Sequence, residues 1–311
     1  MNKMINKNIL KNKIVVCLLA VFCCLLWGSA FPFIKIGYRL FMIDASDSTS
    51  QILFAGARFF IAGILTIFFG SLLQKEALVP KRNSLKYVGI ISVFQTILQY
   101  LFFYIGLAHA SGVKASIING MSTFFAILLA CLLRKQEKLN AGKIIGSILG
   151  TIAVVIISTM GGTIDGTFSL VGEGFILLAS ASYAVSSVLM KEFSTRENPV
   201  TLSGYQFLLG GLVMMLTGFL TGGTIQTITG FGVLLLIYLA LVSSVAYSIW
   251  SVLLKYNPVS SVAIYGFTTP IFGAFLSAVI LEEYKNFNYK HFISLLLVSI
   301  GIYLVNKKEE A

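Results

Sequence analysis

The sequence places large polar and aromatic side chains at helical spacing inside long apolar stretches. A polar side chain is costly inside a lipid-embedded helix unless it faces protein or water, so these groups indicate a polar path within a membrane protein. Amides donate and accept hydrogen bonds, and tyrosine and tryptophan offer an apolar face with a polar tip, which suits a small zwitterionic or aromatic molecule. The candidate residues for lining this path are Trp27, Gln95, Gln99, Asn119, Tyr183, Tyr247, Trp250, Tyr265 and Thr269.

The same side chains admit a structural interpretation, because hydroxyls and amides also join helices to one another within membranes. The scattered serine and threonine residues fit that interpretation better. Gln95, Gln99, Asn119 and Tyr247 are larger and more central, and for these four we favour the lining of a cavity.

Two cations lie within apolar stretches. Lys35 stands near the end of the first stretch, where its long side chain is expected to extend to the membrane interface. Arg58 stands about seven residues into the second stretch, about 10 Å deep at 1.5 Å per residue. It could attract a carboxylate or pair with a group near the outer helix ends such as Glu283, and we favour the structural pairing.

Two prolines, Pro32 and Pro270, interrupt apolar stretches. Each removes a backbone donor and leaves a carbonyl in the preceding turn without its usual partner, which a membrane tolerates where neighbours or water satisfy that group. Both positions are predicted to bend their helices. The sequence leaves open whether these bends are hinges for gates or fixed kinks.

All twelve Asp and Glu residues lie at the ends of apolar stretches or between them. A proton-coupled pump commonly uses a carboxylate within the membrane, and binding of cationic drugs favours one too. The sequence contains no HExxH motif, no glycine-rich phosphate loop and no Cys/His cluster. A membrane-embedded enzyme is therefore disfavoured, and no metal or cofactor is expected.

Composition predicts that membrane-spanning helices position these residues. Of the 311 residues, 57% are hydrophobic and 11% are charged, and the mean hydropathy is +0.89. Crossing a bilayer takes about 20 apolar residues, and no stretch alternates strictly like a barrel strand, so the fold class is an all-α integral membrane protein. The ten predicted spans are 14–36, 51–73, 86–108, 112–133, 142–160, 170–190, 201–220, 231–254, 259–281 and 290–305.

The net charge of +11 is distributed unevenly along the chain. With a cytoplasmic N-terminus, 17 of the 23 Lys and Arg residues fall in cytoplasmic segments and four in outer segments. Basic residues accumulate on the cytoplasmic side of membrane proteins, so this asymmetry predicts a cell-membrane protein with cytoplasmic tails at 1–13 and 306–311. The basic charge is then a topology signal, and no nucleic acid is expected as a partner.

The ten spans also resemble five spans repeated, as residues 14–160 and 170–305. The corresponding residues, first half with second, are Trp27 and Lys35 with Tyr183 and Lys191, and Tyr100 and Leu107 with Tyr247 and Leu254. Because five is odd, the second copy must enter the membrane from the opposite side. This arrangement is an inverted repeat, which is common in secondary transporters.

The stretches LLWGSAFPFIKIG, ARFFIAG and LLLVSIGIYLVN, with the spacing of Pro270 and Glu283, resemble the EamA-type family of the drug/metabolite transporter superfamily. The resemblance extends from Lys13 to Lys307. It implies ten helices in two inverted five-helix repeats and a central cavity lined mainly by spans 1, 3, 4, 6, 8 and 9. It also implies small metabolites, often amino acids, as cargo. Phe124 stands where the family has a proline in the fourth span, so the resemblance predicts no proline bend there.

We therefore expect a secondary transporter for a small metabolite, such as an amino acid or a related zwitterionic or aromatic compound. It would act by alternating access as a facilitator, exchanger or exporter. A proton-coupled drug/metabolite antiporter is the alternative, and a receptor or scaffold that transports nothing is a third class. The expected partners are the small-molecule substrate and the lipid bilayer. Both a monomer and a homodimer fit, since the spacing of Gly146 and Gly150 permits close contact between helices.

Overall fold

The computed structural model describes residues 8–44, 46–109, 112–132, 136–158, 169–281 and 289–307. These ranges contain helices and no strand, which confirms the all-α prediction for the described part of the chain. In chain order, the α-helices are α1 (Lys13–Leu40), α2 (Ser48–Gln74), α3 (Leu85–Ile91), α4 (Gln99–His109), α5 (Gly112–Leu132), α6 (Ala141–Ser158), α7 (Phe175–Phe193), α8 (Pro199–Leu220), α9 (Gly230–Tyr256), α10 (Val259–Ala263), α11 (Thr268–Ile280) and α12 (Tyr289–Asn306).

Three of the predicted spans contain a segment that is wound more tightly or more loosely than an α-helix. A π-helical segment, Ser92–Leu98, joins α3 to α4. A second π-helical segment, Leu170–Gly174, leads into α7, and the 3₁₀ segment Ile264–Phe267 joins α10 to α11. The third, sixth and ninth predicted spans are therefore continuous helical rods with a local change in winding.

Within the described residues, seven helical rods are long and apolar enough to cross a membrane, so the chain is a multi-pass membrane protein. These are Lys13–Leu40, Ser48–Gln74, Arg82–Leu107, Leu170–Phe193, Pro199–Leu220, Gly230–Tyr256 and Val259–Ile280. Three shorter apolar helices, Ile118–Leu132, Ala141–Ile156 and Phe292–Asn306, occupy the remaining predicted spans. The count of ten spans stays a prediction.

Polar side chains define where several helices begin. The side chain of Asn12 accepts a hydrogen bond from the N–H of Ile14 at 2.9 Å at the start of α1. Asn198 and Thr229 accept equivalent bonds at the starts of α8 and α9. These caps satisfy N–H groups that have no partner within the first turn of a helix. Pro199 follows Asn198 at the one helical position where a missing N–H costs nothing.

Helices α2 and α8 pack backbone against backbone. A Cβ atom built on Gly211 of α8 would lie 2.3 Å from the backbone nitrogen of Phe60, and one on Gly56 of α2 would lie 2.4 Å from that of Met215. Real Cβ contacts are essentially never that short, so only glycine permits this approach. Glycines recur every seven residues along this interface, at Gly56 and Gly63 on α2 and at Gly204, Gly211 and Gly218 on α8. A Cβ on Gly204 would meet the side chain of Ile67 at 2.7 Å, and a Cβ on any of the other four would meet backbone atoms.

The helices pair in a regular pattern. α1 packs against α9 and α11, and α7 packs against α4 and α5. α2 packs against α8, and α6 packs against α12. Exchanging the first five spans for the last five converts the pairings of α1 into those of α7, and it maps the α2–α8 and α6–α12 pairings onto themselves.

The two prolines lie in different local structures. Pro32 is buried within α1, which continues without interruption on both sides of it. Pro270 is the third residue of α11, directly after the 3₁₀ segment. Phe124 occupies the corresponding region of α5, and that helix is unbroken from Gly112 to Leu132. The local change in winding in the ninth span therefore has no counterpart in the fourth.

The two glycines on α6 whose spacing permits close helix contact already pack against other segments of the same chain. A Cβ on Gly146 would lie 2.7 Å from the carbonyl oxygen of Gly301 on α12. A Cβ on Gly150 would lie 2.2 Å from the ring of Phe267. This pair therefore serves packing inside one molecule, and the homodimer stays a prediction that these glycines do not support.

Candidate functional site

An aromatic cluster lies where α1, α4 and α9 meet. The ring centroid of Trp27 is 5.0 Å from that of Tyr247 and 5.0 Å from that of Trp250. The hydroxyl of Tyr100 lies 3.1 Å from that of Tyr247. Tyr183 of α7 is close enough to interact electrostatically with Tyr100 and Tyr247. We call Trp27, Tyr100, Tyr183, Tyr247 and Trp250, with Gln99 beside Tyr247, the central cluster.

Phenylalanines from α2 and α8 support the central cluster from one side. Phe207 meets Tyr247 edge-on at 4.9 Å, and Phe59 stacks on Phe207 at 5.3 Å. Phe59 also contacts the ring of Tyr100 at 4.4 Å. Aromatic pairs of this kind contribute about 0.5–1.5 kcal/mol each beyond burial, so they fix the orientation of the two tyrosines.

Several polar atoms near the central cluster are buried without a hydrogen-bond partner in the described part of the chain. They include Nε1 of Trp27, Oε1 of Gln95 and Oε1 of Gln99. An unpaired buried donor or acceptor costs about 1–3 kcal/mol. The side chains of Trp27 and Gln99 are half-buried. This arrangement suits a site that is completed by a ligand or by water.

Five of the predicted site residues come together in the central cluster. Trp27, Gln99, Tyr183, Tyr247 and Trp250 are contributed by α1, α4, α7 and α9. Their convergence follows from helical spacing, because each lies on the face of its helix that packs inward.

The other four predicted lining residues lie outside this group. Gln95 is 2% exposed within the π-helical segment. Tyr265 lies beside Cys17, which precedes Trp27 by ten residues, or about 15 Å along α1. Thr269 lies beside Cys24, one turn from Trp27.

Asn119, the fourth, is half-buried on α5. Its amide makes no hydrogen bond to residues within the described ranges, unlike the hydroxyl of Ser180, which bonds the backbone of Ile118 at 3.0 Å. The geometry therefore assigns Asn119 no role in joining helices, and its contact with cargo stays a prediction.

Arg58 lies deeper than its sequence position suggested. It follows Ser48, the first residue of α2, by ten residues, which places it about 15 Å along the helix. The residue is 5% exposed, and its Nε and Nη2 donate to the hydroxyl of Ser243 at 3.1 and 2.9 Å. Ser243 lies midway along α9, near the centre of the molecule. The favoured partner, Glu283, lies outside the described residues, so that pairing stays a prediction. Lys35 is exposed, as expected for an interfacial lysine.

Hydrogen bonds close one end of the molecule. Nζ of Lys191 at the end of α7 donates to the carbonyl of Leu254 on α9 at 3.2 Å and to that of Asn257. The amide of Asn257 in turn donates to the carbonyl of Leu10 at 2.9 Å. Lys35, the repeat counterpart of Lys191, makes no such bond among the described residues.

The connection between α5 and α6 joins the same end. Oε1 of Glu137 accepts from the N–H of Ser260 at 3.1 Å, and its Oε2 forms an ion pair with Nζ of Lys143 at 2.9 Å. Glu137 is only 7% exposed in this pair, so the bonds are shielded from solvent. Together with Lys191, they fasten α5, α7, α9 and α10 to one another.

Two grooves at the molecular surface lie away from the central cluster. One, of about 810 Å³, is lined mainly by apolar side chains at the end of α2, such as Phe68 and Leu72. The other, of about 620 Å³, is lined by Lys81, Arg82, Lys86 and Arg196 with the ring of Tyr87. The first suits contact with lipid chains, and the second is a basic surface at one helix end.

The fold is that of a multi-pass helical membrane protein, and its helices bring a cluster of aromatic and polar side chains together. The chain belongs to the EamA-like transporter family, which matches residues 14–159 and 170–307. This confirms the family resemblance, and the chain is accordingly a membrane transporter rather than a member of an enzyme family.

Relatives from distant organisms support the same assignment. An uncharacterized transporter of Archaeoglobus fulgidus is 26% identical over 305 residues, covering 94% of this chain and 97% of its own length. The uncharacterized transporter YvbV of Bacillus subtilis is 26% identical over 304 residues, covering 94% and 92%. A WAT1-related chloroplastic protein of Arabidopsis thaliana is 23% identical over 293 residues, covering 91% and 67%.

A solved crystal structure has the same fold. It superposes with a TM-score of 0.76 over 94% of this chain and 96% of its own, at 16% sequence identity. At this identity the likeness concerns the fold alone.

Proposed function

We propose that this chain is a secondary transporter that carries a small metabolite by alternating access around the central cluster. The cargo is an amino acid or a related zwitterionic or aromatic compound. The observation that carries the proposal is the group of rings with buried polar atoms, Nε1 of Trp27 and Oε1 of Gln99, that have no partner among the described residues. Such a molecule would supply hydrogen bonds to these atoms and a side chain that packs against the rings.

An inverted repeat is the proposed basis of the mechanism, with residues 14–160 and 170–305 as its two halves. Two observations support it. The family matches two separate segments, 14–159 and 170–307. The helix pairings also map onto one another when the halves are exchanged, as a twofold axis in the membrane plane requires.

The proposed location is the cell membrane, with both termini in the cytoplasm. The excess of Lys and Arg on that side supports this orientation. The basic groove lined by Lys81, Arg82, Lys86 and Arg196 lies between predicted spans on the same side. The end closed by Lys191 is then the cytoplasmic end, and the structure corresponds to a state closed toward the cytoplasm.

Alternating access would exchange two equivalent lysine contacts. Lys191 bonds the carbonyl of Leu254 in this structure. Lys35 and Leu107 correspond to these residues in the first half, and Lys35 is exposed. In the state open to the cytoplasm, Lys35 would close the outer end through the carbonyl of Leu107, while Lys191 is released.

The lysine exchange predicts the effect of Lys191→Ala. The variant loses the charge-assisted hydrogen bonds of Lys191, each of which contributes about 1.5–3 kcal/mol. Their loss should shift the population toward the cytoplasm-open state by about tenfold or more.

Ser187, one turn before Lys191, is 1% exposed. In a chain with Ser187→Cys and the four native cysteines replaced, cytoplasmic maleimide should label Cys at this position about ten times faster after Lys191→Ala. The matched control Lys138→Ala removes an exposed lysine at the same end and should leave the rate unchanged. Equal rates in all three proteins would contradict the exchange.

Transport should be largely independent of a proton gradient. Within the described residues, no Asp or Glu lies in the middle of a span, so no carboxylate there carries a proton across. Purified protein in liposomes should therefore equilibrate radiolabelled amino acids equally with and without an imposed pH gradient. Concentrative uptake driven many-fold by that gradient would favour the proton-coupled antiporter instead, and His109 would become the first residue to test. Absence of flux for every amino acid and related metabolite would favour a receptor or scaffold.

A further inference from the structure

We propose that Arg58 binds a carboxylate of the transported molecule, and that this carboxylate is the group the site requires. The inference rests on the proposed transport function and narrows its substrate class to aromatic or apolar monocarboxylates. An ammonium group on the same molecule would be tolerated but not needed.

The bonds that Arg58 makes leave one end of its guanidinium group open. A guanidinium carries five N–H donors in a planar fork that matches the two oxygens of a carboxylate. Nε donates to the carbonyl of Leu239 and, with Nη2, to the hydroxyl of Ser243. Nη1 makes no hydrogen bond within the described ranges. The edge between Nη1 and Nη2 can therefore donate hydrogen bonds to both oxygens of a carboxylate.

The charge of Arg58 has no counter-ion among the residues that the structure describes, and Glu283, its predicted partner, lies outside them. The groups within its electrostatic reach are the neutral phenols of Tyr38, Tyr100, Tyr104 and Tyr247. A buried charge without a partner is strongly unfavourable, and a bound carboxylate would supply that partner.

These neighbours connect Arg58 to the central cluster. Tyr100 and Tyr247 belong to both, and their hydroxyls lie 3.1 Å apart. A molecule with its carboxylate at Arg58 would therefore direct an apolar body toward the rings of Trp27 and Tyr247. The described part of the cluster offers no carboxylate to an ammonium group, only aromatic faces, which bind cations more weakly.

Intrinsic fluorescence provides a direct binding measurement. The chain contains two tryptophans, Trp27 and Trp250, and both lie in the central cluster. Phenylalanine, 3-phenylpropionate and phenylalaninamide are suitable probes, because the second lacks the ammonium group and the third lacks the carboxylate. We expect the first two to bind and phenylalaninamide to bind at least about thirtyfold more weakly, as loss of a charge-assisted pair implies. Equal binding of phenylalaninamide, or no binding of 3-phenylpropionate, would overturn the proposal.

Variants separate a binding role from a structural one. In Arg58→Gln, 3-phenylpropionate and phenylalaninamide should bind within about threefold of each other, because the discriminating charge is gone. Arg39→Gln removes an exposed arginine from the end of α1 and should retain full discrimination. Retained discrimination in Arg58→Gln would contradict the proposal. If Arg58→Gln does not fold, Arg58→Lys is the second variant, because lysine keeps the charge without the planar fork. The binding of the three probes to the unmodified protein tests the proposal without any variant.

Transport assays distinguish the failure of this inference from the failure of the proposed function. If phenylalanine and phenylalaninamide are transported equally well, the carboxylate inference fails and the transport function stands. If none of the probes binds and no amino acid is transported, both fail.

Discussion

Replacing Gln99 by Leu should lower flux per folded molecule by a factor on the order of ten or more, the equivalent of one well-made hydrogen bond of about 1.5 kcal/mol. Oε1 of Gln99 is buried without a partner in the described chain, so the substitution removes an acceptor for cargo together with the contact of Gln99 with Tyr247. The free energy of unfolding should change by less than about 1 kcal/mol, since the loss of an unpaired buried oxygen offsets the loss of that contact. Flux per folded molecule and melting temperature, measured together, check both parts.

Gln206→Leu is the matched control for Gln99→Leu. Oε1 of Gln206 accepts a hydrogen bond from the hydroxyl of Thr96 at 2.5 Å, which joins α8 to the third span. Its loss should lower stability by about 1–3 kcal/mol and leave flux per folded molecule nearly unchanged. If the two variants show the reverse pattern, Gln99 joins helices and does not line the path.

Replacing Gly211 by Ala should destabilise the protein by more than about 3 kcal/mol or prevent folding. The new Cβ would lie 2.3 Å from the backbone nitrogen of Phe60, and a backbone cannot rotate away as a side chain can. The readout is the yield of folded protein and its melting temperature in detergent.

Gly89→Ala provides the control with the opposite expectation. No atom lies within 4 Å of a Cβ built on Gly89, which is in the interior of α3. Alanine should therefore stabilise the helix by about 0.5–1 kcal/mol. Similar melting temperatures for Gly211→Ala and Gly89→Ala would show that α2 and α8 do not pack backbone against backbone.

Local sequence was sufficient to predict the helices and part of the site. An apolar stretch of given length forms a spanning helix whatever its neighbours, and helical spacing alone identifies the inward face. For that reason Trp27, Gln99 and Tyr247 could be placed together from their positions in the chain.

Two of the four predicted lining residues outside the central cluster lie where helical spacing changes. Gln95 lies in a π-helical segment and Tyr265 in a 3₁₀ segment, so rotation by 100° per residue no longer gives their direction. The depth of Arg58 was underestimated because α2 begins at Ser48, before its apolar stretch does. Its contact with Ser243 could not be predicted, since it depends on how two helices distant in sequence are packed.

Three tyrosines near Arg58 were not among the predicted lining residues, although Tyr100 was matched with Tyr247 in the repeat. Tyr100 and Tyr104 are four residues apart on α4, which places both on one face toward Arg58. That spacing was a usable signal. Tyr38 had none, because it stands near the end of α1, where an aromatic residue usually marks the membrane interface.

Counterflow in liposomes tests the central claim, carriage around one enclosed site, most directly. Liposomes that contain the protein are loaded with an unlabelled amino acid and diluted into a trace of the same compound carrying a radiolabel. A carrier with one alternately exposed site takes up the label transiently above its equilibrium level, because unlabelled cargo leaving the vesicle returns the site to the outside. We predict this overshoot with the unmodified protein and a reduced overshoot with Gln99→Leu. Label that only rises to equilibrium, or that enters no faster than in protein-free liposomes, would contradict the account.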